Sequence, residues 1–511
     1  MSNRLPLFIA AVILGAIAVA LARKGEARAE PPEGPWRVGL AGVLGVLAVF
    51  AGLYRWQNGF FLGGDEYARA AYALTWSLDP FFAPHDHVWL TGQFAVLGAL
   101  RWVLGSVAAA ITITSLAGAA ATVWLSARLS RRLWSSNAAG VVAGLLAGTH
   151  FIVLHASMNP LAEAIFFPLL LASFDQALTG LWCEDRKRKA KAYLRAALFL
   201  GLAESFRYEG WFAGMVLGPF LLFEAIRSVR LRKFASAACF LGGAVLLAAF
   251  PLAWLGSNWR NLGSPVAFFA TGSELNTSMN LYYDMSSPLR KFFAYPEALL
   301  RDHGAWLPWA GFGVLLGLLS SEARRRVLPA AIAVGAVGLV AMSVTALSGL
   351  GSNNRARYTA FYLMLLLPFA GGVGAVLWER GSRPLRLAVA LWLAFLAGSS
   401  LLWARWGTSH AHLVDPEVRA LCEAMREDED FARFVQPEGE ALGIADGGHS
   451  VEFWMLQFYT PAPERVQPEA EGAAAKSRVL IRQGVAVPAG LEPIADFGTY
   501  RLYAPAASPP P

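Results

Sequence analysis

Long apolar segments recur along most of this chain, and their length limits what it can fold into. A helix needs about 20 apolar residues to cross the hydrocarbon core of a bilayer. Segments of this kind cover residues 5–22, 38–54, 106–127, 137–155, 161–180, 234–255, 327–347, 358–378 and 386–404. A shorter one covers 306–320, and 193–226 has room for two short helices interrupted by Arg207-Tyr208-Glu209. The sequence therefore predicts an α-helical polytopic membrane protein with about 12 transmembrane helices.

Charged residues make up only 15% of the chain and fall in the loops between these segments. Soluble domains usually carry about 25%. Lys and Arg cluster at 128–132, 186–195, 227–233, 324–326 and 380–386, whereas the loops 55–105, 150–160, 256–305 and 348–357 are long or nearly uncharged. Because cytoplasmic loops carry the excess of Lys and Arg, the first set is predicted to be cytoplasmic and the second to face outward. This topology accounts for the basic balance of 43 Lys+Arg against 36 Asp+Glu, so no nucleic-acid partner is predicted.

The pattern divides the chain into a transmembrane domain (1–404), an outward α/β domain (405–505) and a disordered tail (506–511). Basic residues follow the first apolar run instead of preceding it, so that run is predicted to be a retained helix and not a signal peptide. Two interfacial helices, or alternatively a plain membrane-hugging loop, are predicted in the first outer loop. The predicted elements are interfacial helices at Tyr67–Leu78 and Leu90–Gly105, strands at Ala441–Ala445, Arg478–Arg482 and Phe497–Tyr503, and helices at Val418–Phe434 and Ser450–Tyr459.

Carboxylates, histidines and arginines gather near the predicted outward ends of the spans. A buried or interfacial carboxylate can accept a proton from a hydroxyl, and arginine binds phosphate with two parallel hydrogen bonds. Such groups on one membrane face suit a reaction on an anionic lipid. The set is Asp65, Glu66, His85, Asp86, His87, His155, Asn159, Glu163, Arg207, Tyr208, Glu209, Arg355, Arg357 and Tyr358.

Several of these segments resemble motifs of the GT-C glycosyltransferase superfamily, in particular the family-39-like protein O-mannosyltransferases and aminoarabinose transferases. The first-loop motif is Gly64-Asp65-Glu66-Tyr67, and the segment 97–105 leads into the next helix. The later motifs are Asn159-Pro160-Leu161-Ala162-Glu163, the segment 201–211 and Arg355-Ala356-Arg357-Tyr358. The chain departs from the family pattern at Trp89-Leu90-Thr91-Gly92, where Pro-Pro is common, and at Glu163, where Asp is usual.

The resemblance implies a GT-C-like bundle that transfers a sugar from a polyprenyl-phosphate donor to a lipid, glycan or protein acceptor, with inversion. It implies Asp65 as the catalytic base, with Glu66 positioning the acceptor or serving as an alternate base. The implied donor-phosphate ligands are Arg207, Arg355, Arg357 and Tyr358, and the implied substrate-binding residues are Tyr67, His87, Glu163, Tyr208 and Glu209. It also implies a multi-pass protein of a bacterial inner membrane, with the site and the last domain in the periplasm.

Simpler readings of the same residues stay open at this stage. Asp65 could only cap the helix that follows it. Arg207 and Glu209 could form an internal ion pair, and Arg355 and Arg357 could be interfacial arginines that reach for lipid headgroups.

Other functions and cofactors also stay open. A transporter or lipid flippase is the alternative function, because about 12 helices suit one equally well. A non-catalytic envelope-assembly protein is a third. No metal site is predicted, since His85-Asp86-His87 alone rarely closes one, but dependence on a divalent metal is left open.

Overall fold

The computed structural model describes residues 5–22, 39–40, 42–45, 64–83, 89–268, 288–348, 356–407, 442–445, 466–468, 478–482, 487, 491–497 and 500–505. The labelled helices of the first half are α1 Leu5–Ala22, α2 Gly64–Leu78, α3 Gly92–Leu104, α4 Val107–Trp134, α5 Asn137–Gly148, α6 Phe151–Ala156, α7 Glu163–Trp182 and α8 Arg186–Glu204. Those of the second half are α9 Glu209–Arg230, α10 Phe234–Leu262, α11 Pro288–His303, α12 Leu307–Leu319, α13 Ser321–Ser348, α14 Ala356–Arg380 and α15 Arg383–Gly407.

Short polar residues set where several of these helices begin. Ser106 accepts a hydrogen bond from the Ala109 amide at the start of α4, and Ser136 does the same at α5. Each side chain thereby satisfies an amide that has no partner within the helix. These polar residues therefore fix the positions at which the apolar helices begin.

Within the described residues, six helices are long and apolar enough to cross a membrane, namely α4, α7, α9, α10, α13 and α14. Large apolar side chains on their outer faces are exposed, for example Phe223 at 61% and Leu252 at 64%. Such surfaces suit lipid tails and would be a liability in water. The chain is an integral membrane protein on this ground, and the full count of about 12 spans stays a prediction.

Helix α14 is the centre of the bundle. In an 18-residue apolar stretch of this helix 83% of the residues are buried, whereas 22% are buried in the equivalent stretch of α10. Glycines let neighbouring helices approach it closely, because small residues allow backbones to come into contact. Gly313 of α12 lies against the Phe369 carbonyl, and Gly371 lies against Ser130 and the Ala139 carbonyl. In the first turn of α14, Arg357 and Tyr358 are partly buried and Thr359 is buried.

The basic ends of several helices meet at one end of the bundle. Arg132 and Arg128 both pair with the buried carboxylate of Asp175. Arg326 donates to Ser135, and Ser136 donates to Glu379 over 2.8 Å. The starts of α7, α9 and α14 lie at the other end. The basic residues used to predict the topology thus occupy one end, although the side of the membrane on which it lies stays a prediction.

Two predicted spans have different boundaries in the structure. The segment 193–226 belongs to two helices, α8 and α9, which both extend beyond it. The helical structure is interrupted between them at residues 205–208. The predicted span 137–155 is also two helices, α5 and α6. His150 has an extended backbone there (φ −70°, ψ 128°) and its ring accepts from the Ile152 amide, which starts a new helix. That local cap outweighs the continuous apolar pattern.

Both helices predicted in the first outer loop are present, as α2 and α3. The predicted helix at Leu90–Gly105 ends at Leu104 because Gly105 adopts a left-handed conformation with φ 69°. Glycine is the usual residue there, since it lacks the Cβ that crowds this conformation. Their position relative to a membrane stays a prediction.

In the described part of the chain after α15, the structure has five strands: β1 Leu442–Ala445, β2 Val466–Pro468, β3 Arg478–Arg482, β4 Leu491–Phe497 and β5 Tyr500–Pro505. They form one sheet in the order β2-β1-β3-β5-β4, parallel between the first three and antiparallel between the last three. The prediction of a single strand over Phe497–Tyr503 is wrong. Phe497 pairs with Tyr500, so the chain reverses between them and forms a hairpin. The helices predicted at Val418–Phe434 and Ser450–Tyr459 lie outside the described residues.

Candidate active site

Two arginines from distant parts of the chain meet on the carboxylate of Glu163, the first residue of α7. Arg207, in the break between α8 and α9, places Nη1 2.5 Å from Glu163 Oε1. Arg357, at the start of α14, places Nε 3.0 Å from the same oxygen. Glu163 is fully buried, and its second oxygen has no hydrogen-bond partner among the described residues.

Arg207 also forms a two-pronged ion pair with Glu209, the first residue of α9. Nε lies 3.0 Å from Oε2 and Nη2 lies 2.5 Å from Oε1. Burial acts to lower the pKa of the Arg207 guanidinium, but Glu163 and Glu209 outweigh it and raise that pKa. The alternative reading as an internal ion pair therefore describes a real contact. Three of the five N–H groups that arginine carries are used in this way within the described part of the chain.

Tyr358 completes the contact between these two arginines. The guanidinium carbon of Arg207 lies 5.2 Å from the centre of the Tyr358 ring, and that of Arg357 lies 5.9 Å from it. Cations are attracted to the face of an aromatic ring at such distances. Tyr358 thus helps to hold two like charges close together.

A third arginine, Arg69 of α2, approaches the same carboxylate. Its Nη1 donates to Gln93 Oε1 over 2.5 Å, and its guanidinium carbon lies 4.9 Å from the Trp89 ring centre. Gln93 in turn donates to the Pro160 carbonyl over 2.5 Å. Arg69 is close enough to Glu163 to interact with it electrostatically. Arg69, Glu163, Arg207, Glu209 and Arg357 are called the arginine cluster below.

The arginine cluster holds three guanidinium groups and two carboxylates, before the acids of α2 are counted. It is buried, and charges that are removed from water interact strongly because the local dielectric is low. An anion that entered it would find one positive charge in excess and N–H groups able to bind it. The arrangement is suited to a phosphate.

Glu66 of α2 lies three residues before Arg69, on the same face of that helix. Glu66 is buried, and its Oε1 lies 3.1 Å from Nε2 of His155, at the end of α6. Asn159 lies 3.2 Å from the other ring nitrogen of His155. Asp65 and Tyr67 are in the first turn of α2, but their side chains are outside the described part of the structure, as are His87 and Arg355 altogether.

Tyr208, which follows Arg207 in the chain, packs among aromatic side chains. Its ring stacks on Phe268 with centroids 4.8 Å apart and planes 1° apart, and it meets Trp211 edge-on at 5.1 Å. These rings belong to an apolar cluster with Leu90 and Trp254. The structure therefore brings together Glu163, Arg207, Glu209, Arg357 and Tyr358, and places Tyr208 among aromatic neighbours.

Three contributing residues were not singled out from the sequence. Arg69 and Gln93 belong to interfacial helices that read as apolar, and Tyr295 of α11 is buried with electrostatic contacts to Glu209 and Arg207. Burial raises the pKa of Tyr295 well above its ordinary value, so its phenol stays neutral. The spacing of Arg69 from Glu66 was an available signal, because residues three apart share a helix face.

Among the described residues, no group of three or more His, Cys, Asp or Glu side chains lies close enough together to hold a metal ion. One oxygen of the Glu163 carboxylate, Oε1, is engaged by two arginines.

The fold and this site define a polytopic helical membrane protein with a buried, arginine-rich site at one end of its bundle. Solved structures share this architecture. The crystal structure of ArnT from Cupriavidus metallidurans bound to undecaprenyl phosphate matches with a TM-score of 0.59 at 14% identity, covering 93% of this chain and 99% of that one. The apo structure of the same protein matches with a TM-score of 0.55 at 14% identity, covering 92% and 98%.

ArnT is a GT-C superfamily member, so the resemblance predicted from the sequence is confirmed at the level of the fold. At this identity the likeness shows the fold alone. The oligosaccharyltransferase of Archaeoglobus fulgidus matches more weakly, with a TM-score of 0.47 at 15% identity over 86% of this chain and 68% of that one. No protein-family model matches the sequence, and no curated protein matches it.

Proposed function

We propose that this chain is an integral-membrane glycosyltransferase that moves a sugar from a polyprenyl-phosphate carrier to a lipid, glycan or protein acceptor. The observation that carries the proposal is the buried arginine cluster, in which Arg207 and Arg357 converge on Glu163. It lies in a fold shared with a protein whose structure holds undecaprenyl phosphate. A polyprenyl phosphate is the anion that a membrane-embedded site of this kind would meet.

The reaction requires one displacement at the anomeric carbon. The acceptor hydroxyl oxygen forms the new bond while its proton passes to Asp65, and the bond from the anomeric carbon to the phosphate oxygen breaks. The electron pair of that bond stays on the leaving polyprenyl phosphate. Since attack and departure occur on opposite faces of the sugar, the configuration inverts. Arginines placed where this negative charge develops would stabilise it.

The remaining site residues have supporting roles in this scheme. Arg207 and Arg357, with Arg355, bind the donor phosphate, and Tyr358 holds the guanidinium groups. Glu163 and Glu209 orient those arginines by the ion pairs described above. Glu66 positions the acceptor. Tyr67, His87 and Tyr208 contact substrate in this proposal, and dependence on a divalent metal is left open.

We place the protein in the inner membrane of a bacterium, with the arginine cluster and the domain 405–505 in the periplasm. The basic helix ends at the opposite end of the bundle support this orientation, because cytoplasmic loops are rich in Lys and Arg. The domain 405–505 would lie on the same side as the site.

The test is sugar transfer by purified protein in liposomes that contain undecaprenyl-phosphate-linked hexoses or pentoses. Formation of undecaprenyl phosphate is measured by mass spectrometry, with a bacterial envelope extract as acceptor. Asp65→Asn is expected to abolish it, whereas Asp79→Asn, an exposed acid just past the other end of α2, is expected to leave it unchanged. Transfer that persists in Asp65→Asn would refute Asp65 as the base.

A second measurement separates an enzyme from a flippase. If the protein moves a fluorescent undecaprenyl-phosphate lipid between leaflets and forms no undecaprenyl phosphate from any glycosylated donor, the transferase proposal is wrong. The enzyme is supported by the position of Arg207, which lies in the break between α8 and α9, at the ends of both helices. A transporter is expected to place such charges near mid-membrane in broken helices.

A further inference from the structure

The hydrogen bonds around His155 define which of its ring nitrogens carries the proton. Asn159 Nδ2 lies 3.2 Å from His155 Nδ1 and 3.3 Å from the His155 carbonyl oxygen. A carbonyl oxygen only accepts, so the Asn159 atom facing both groups is the amide nitrogen, which only donates. His155 Nδ1 therefore accepts and is unprotonated. The single ring proton lies on Nε2 and is donated to Glu66 Oε1 over 3.1 Å.

Asn159 is itself fixed by its backbone. Its carbonyl oxygen accepts from Ser115 Oγ of α4 over 3.0 Å and from the Leu161 amide over 2.7 Å. The residue is 1% exposed. The amide that selects the protonation state of His155 is thus held by contacts that do not involve Glu66.

A neutral donor has a specific consequence for Glu66. A buried carboxylate needs a hydrogen-bonding partner. The imidazole of His155 supplies that partner at one oxygen of Glu66. Glu66 is therefore oriented and still able to accept a hydrogen bond through its second oxygen.

The helix that carries His155 is also held at its other end. His150, which precedes α6, accepts from the Ile152 amide at Nδ1, so its proton is on Nε2. That nitrogen lies 3.0 Å from His303 Nδ1, and His303 Nε2 lies 2.9 Å from Thr359 Oγ1. Thr359 is two residues beyond Arg357. The short helix α6 consequently connects the acid pair of α2 to the helix that carries Arg357.

We propose that His155, with its Nδ1 facing the Asn159 amide and its Nε2 facing Glu66, is a positioning residue of the sugar-transfer reaction that holds Glu66 in a fixed orientation. This rests on the proposed glycosyltransferase function. By fixing Glu66, His155 also fixes the first turn of α2, in which Asp65 lies. Through α6 and the contacts of His150 with His303 and of His303 with Thr359, that turn is linked to the helix that carries Arg357.

The test compares His155→Leu with His155→Gln in the liposome assay. Leucine removes the donor, and kcat is expected to fall on the order of 100-fold while KM for the donor lipid changes little, because misplacement of about 1 Å has such an effect. Glutamine places an N–H donor near the position of Nε2. It is expected to restore kcat to within roughly fivefold of wild type, because its flexible side chain orients that donor less exactly than the ring does. A merely structural histidine would not produce this split or this rescue.

Ser157→Ala is the matched control. Ser157 is buried just past the same helix and donates only to the Leu154 carbonyl over 2.7 Å. The kcat of Ser157→Ala is expected to equal that of wild type. Thermal unfolding of each variant reports whether that variant is folded. Wild-type kcat in His155→Leu, or an equal loss in His155→Gln, overturns this inference and leaves the transferase function intact. Absence of transfer by wild-type protein with every donor overturns both.

Discussion

Replacing Glu163 by Gln removes one negative charge from between two guanidinium groups and keeps nearly the same shape. The Gln carbonyl oxygen can still accept from Arg207 Nη1 and Arg357 Nε, which lie 2.5 and 3.0 Å from Glu163 Oε1. The two arginines, however, lose the charge that separates them. The expected result is a less stable protein that is stabilised more strongly by a bound anion.

The magnitude follows from the geometry. A guanidinium and a carboxylate whose charge centres are about 4 Å apart attract by about 4 kcal/mol at an effective dielectric constant near 20. Burial of the groups offsets much of this, and removing one partner of a buried pair costs about 3–5 kcal/mol in practice. Because Gln keeps the hydrogen bonds, we expect Glu163→Gln to lower the free energy of unfolding by about 3 kcal/mol, the lower end of that range.

The assay is thermal unfolding in detergent, followed by the fluorescence of the 18 tryptophans, with and without undecaprenyl phosphate. Glu163→Gln is expected to melt below wild type without the lipid. Ligand at about 100-fold its Kd adds about 2.7 kcal/mol. We expect the lipid to stabilise the variant more than it stabilises wild type, because the phosphate replaces the missing carboxylate.

Glu322→Gln is the matched control, since Glu322 is an exposed acid in the first turn of another long apolar helix, α13. It is expected to melt with wild type. If Glu163→Gln also melts with wild type, the ion pairs of the arginine cluster contribute nothing to stability. If undecaprenyl phosphate raises the melting temperature of variant and wild type equally, that lipid does not bind at Glu163.

Two further predictions concern glycines that allow close contacts. In Gly92→Ala the new Cβ would overlap Ser205 Oγ and come within 2.7 Å of the Ser205 carbonyl oxygen. This displaces the break between α8 and α9 that carries Arg207, so sugar transfer should fall several-fold. Gly256→Ala, where no atom lies within 4 Å of the new Cβ, should not change sugar transfer. In Gly371→Ala the Cβ would overlap Ser130 Oγ and the Ala139 carbonyl, so the melting temperature should fall. Gly335→Ala is the control, since no atom lies within 4 Å of the new Cβ. It should leave the melting temperature unchanged or raise it, because alanine favours a helix by about 1 kcal/mol over glycine. Unchanged behaviour of the first variant of either pair would contradict the packing described for it.

The helices were readable from the sequence because their cause is local. An apolar run of lipid length must satisfy its backbone within itself, so it becomes a helix wherever it occurs. The boundaries were less readable. The start of α6 depends on the ring of His150, and the hairpin of β4 and β5 depends on pairing between Phe497 and Tyr500, neither of which an apolar pattern records.

The composition of the arginine cluster was only partly readable, for a different reason. Glu163, Arg207 and Arg357 could each be suspected singly, because a charge at the end of an apolar span is costly and needs a reason. Their meeting could not, since Arg357 and Glu163 are 194 residues apart. Arg69 was missed because it lies in a helix whose neighbours are apolar or small, where a lone arginine reads as an interfacial residue.

What brings these residues together is the burial of α14. A helix that is enclosed on nearly all sides must bury its first turn as well, unless that turn extends beyond its neighbours. Arg357 and Tyr358 lie in that turn, so Arg357 needs an anionic partner there, and Glu163 at the start of α7 supplies it. Arg207 approaches the same oxygen and is itself neutralised by Glu209, so the positive charge in excess within the arginine cluster comes from Arg69. The convergence of these guanidinium groups on one buried carboxylate is therefore a consequence of how the bundle packs.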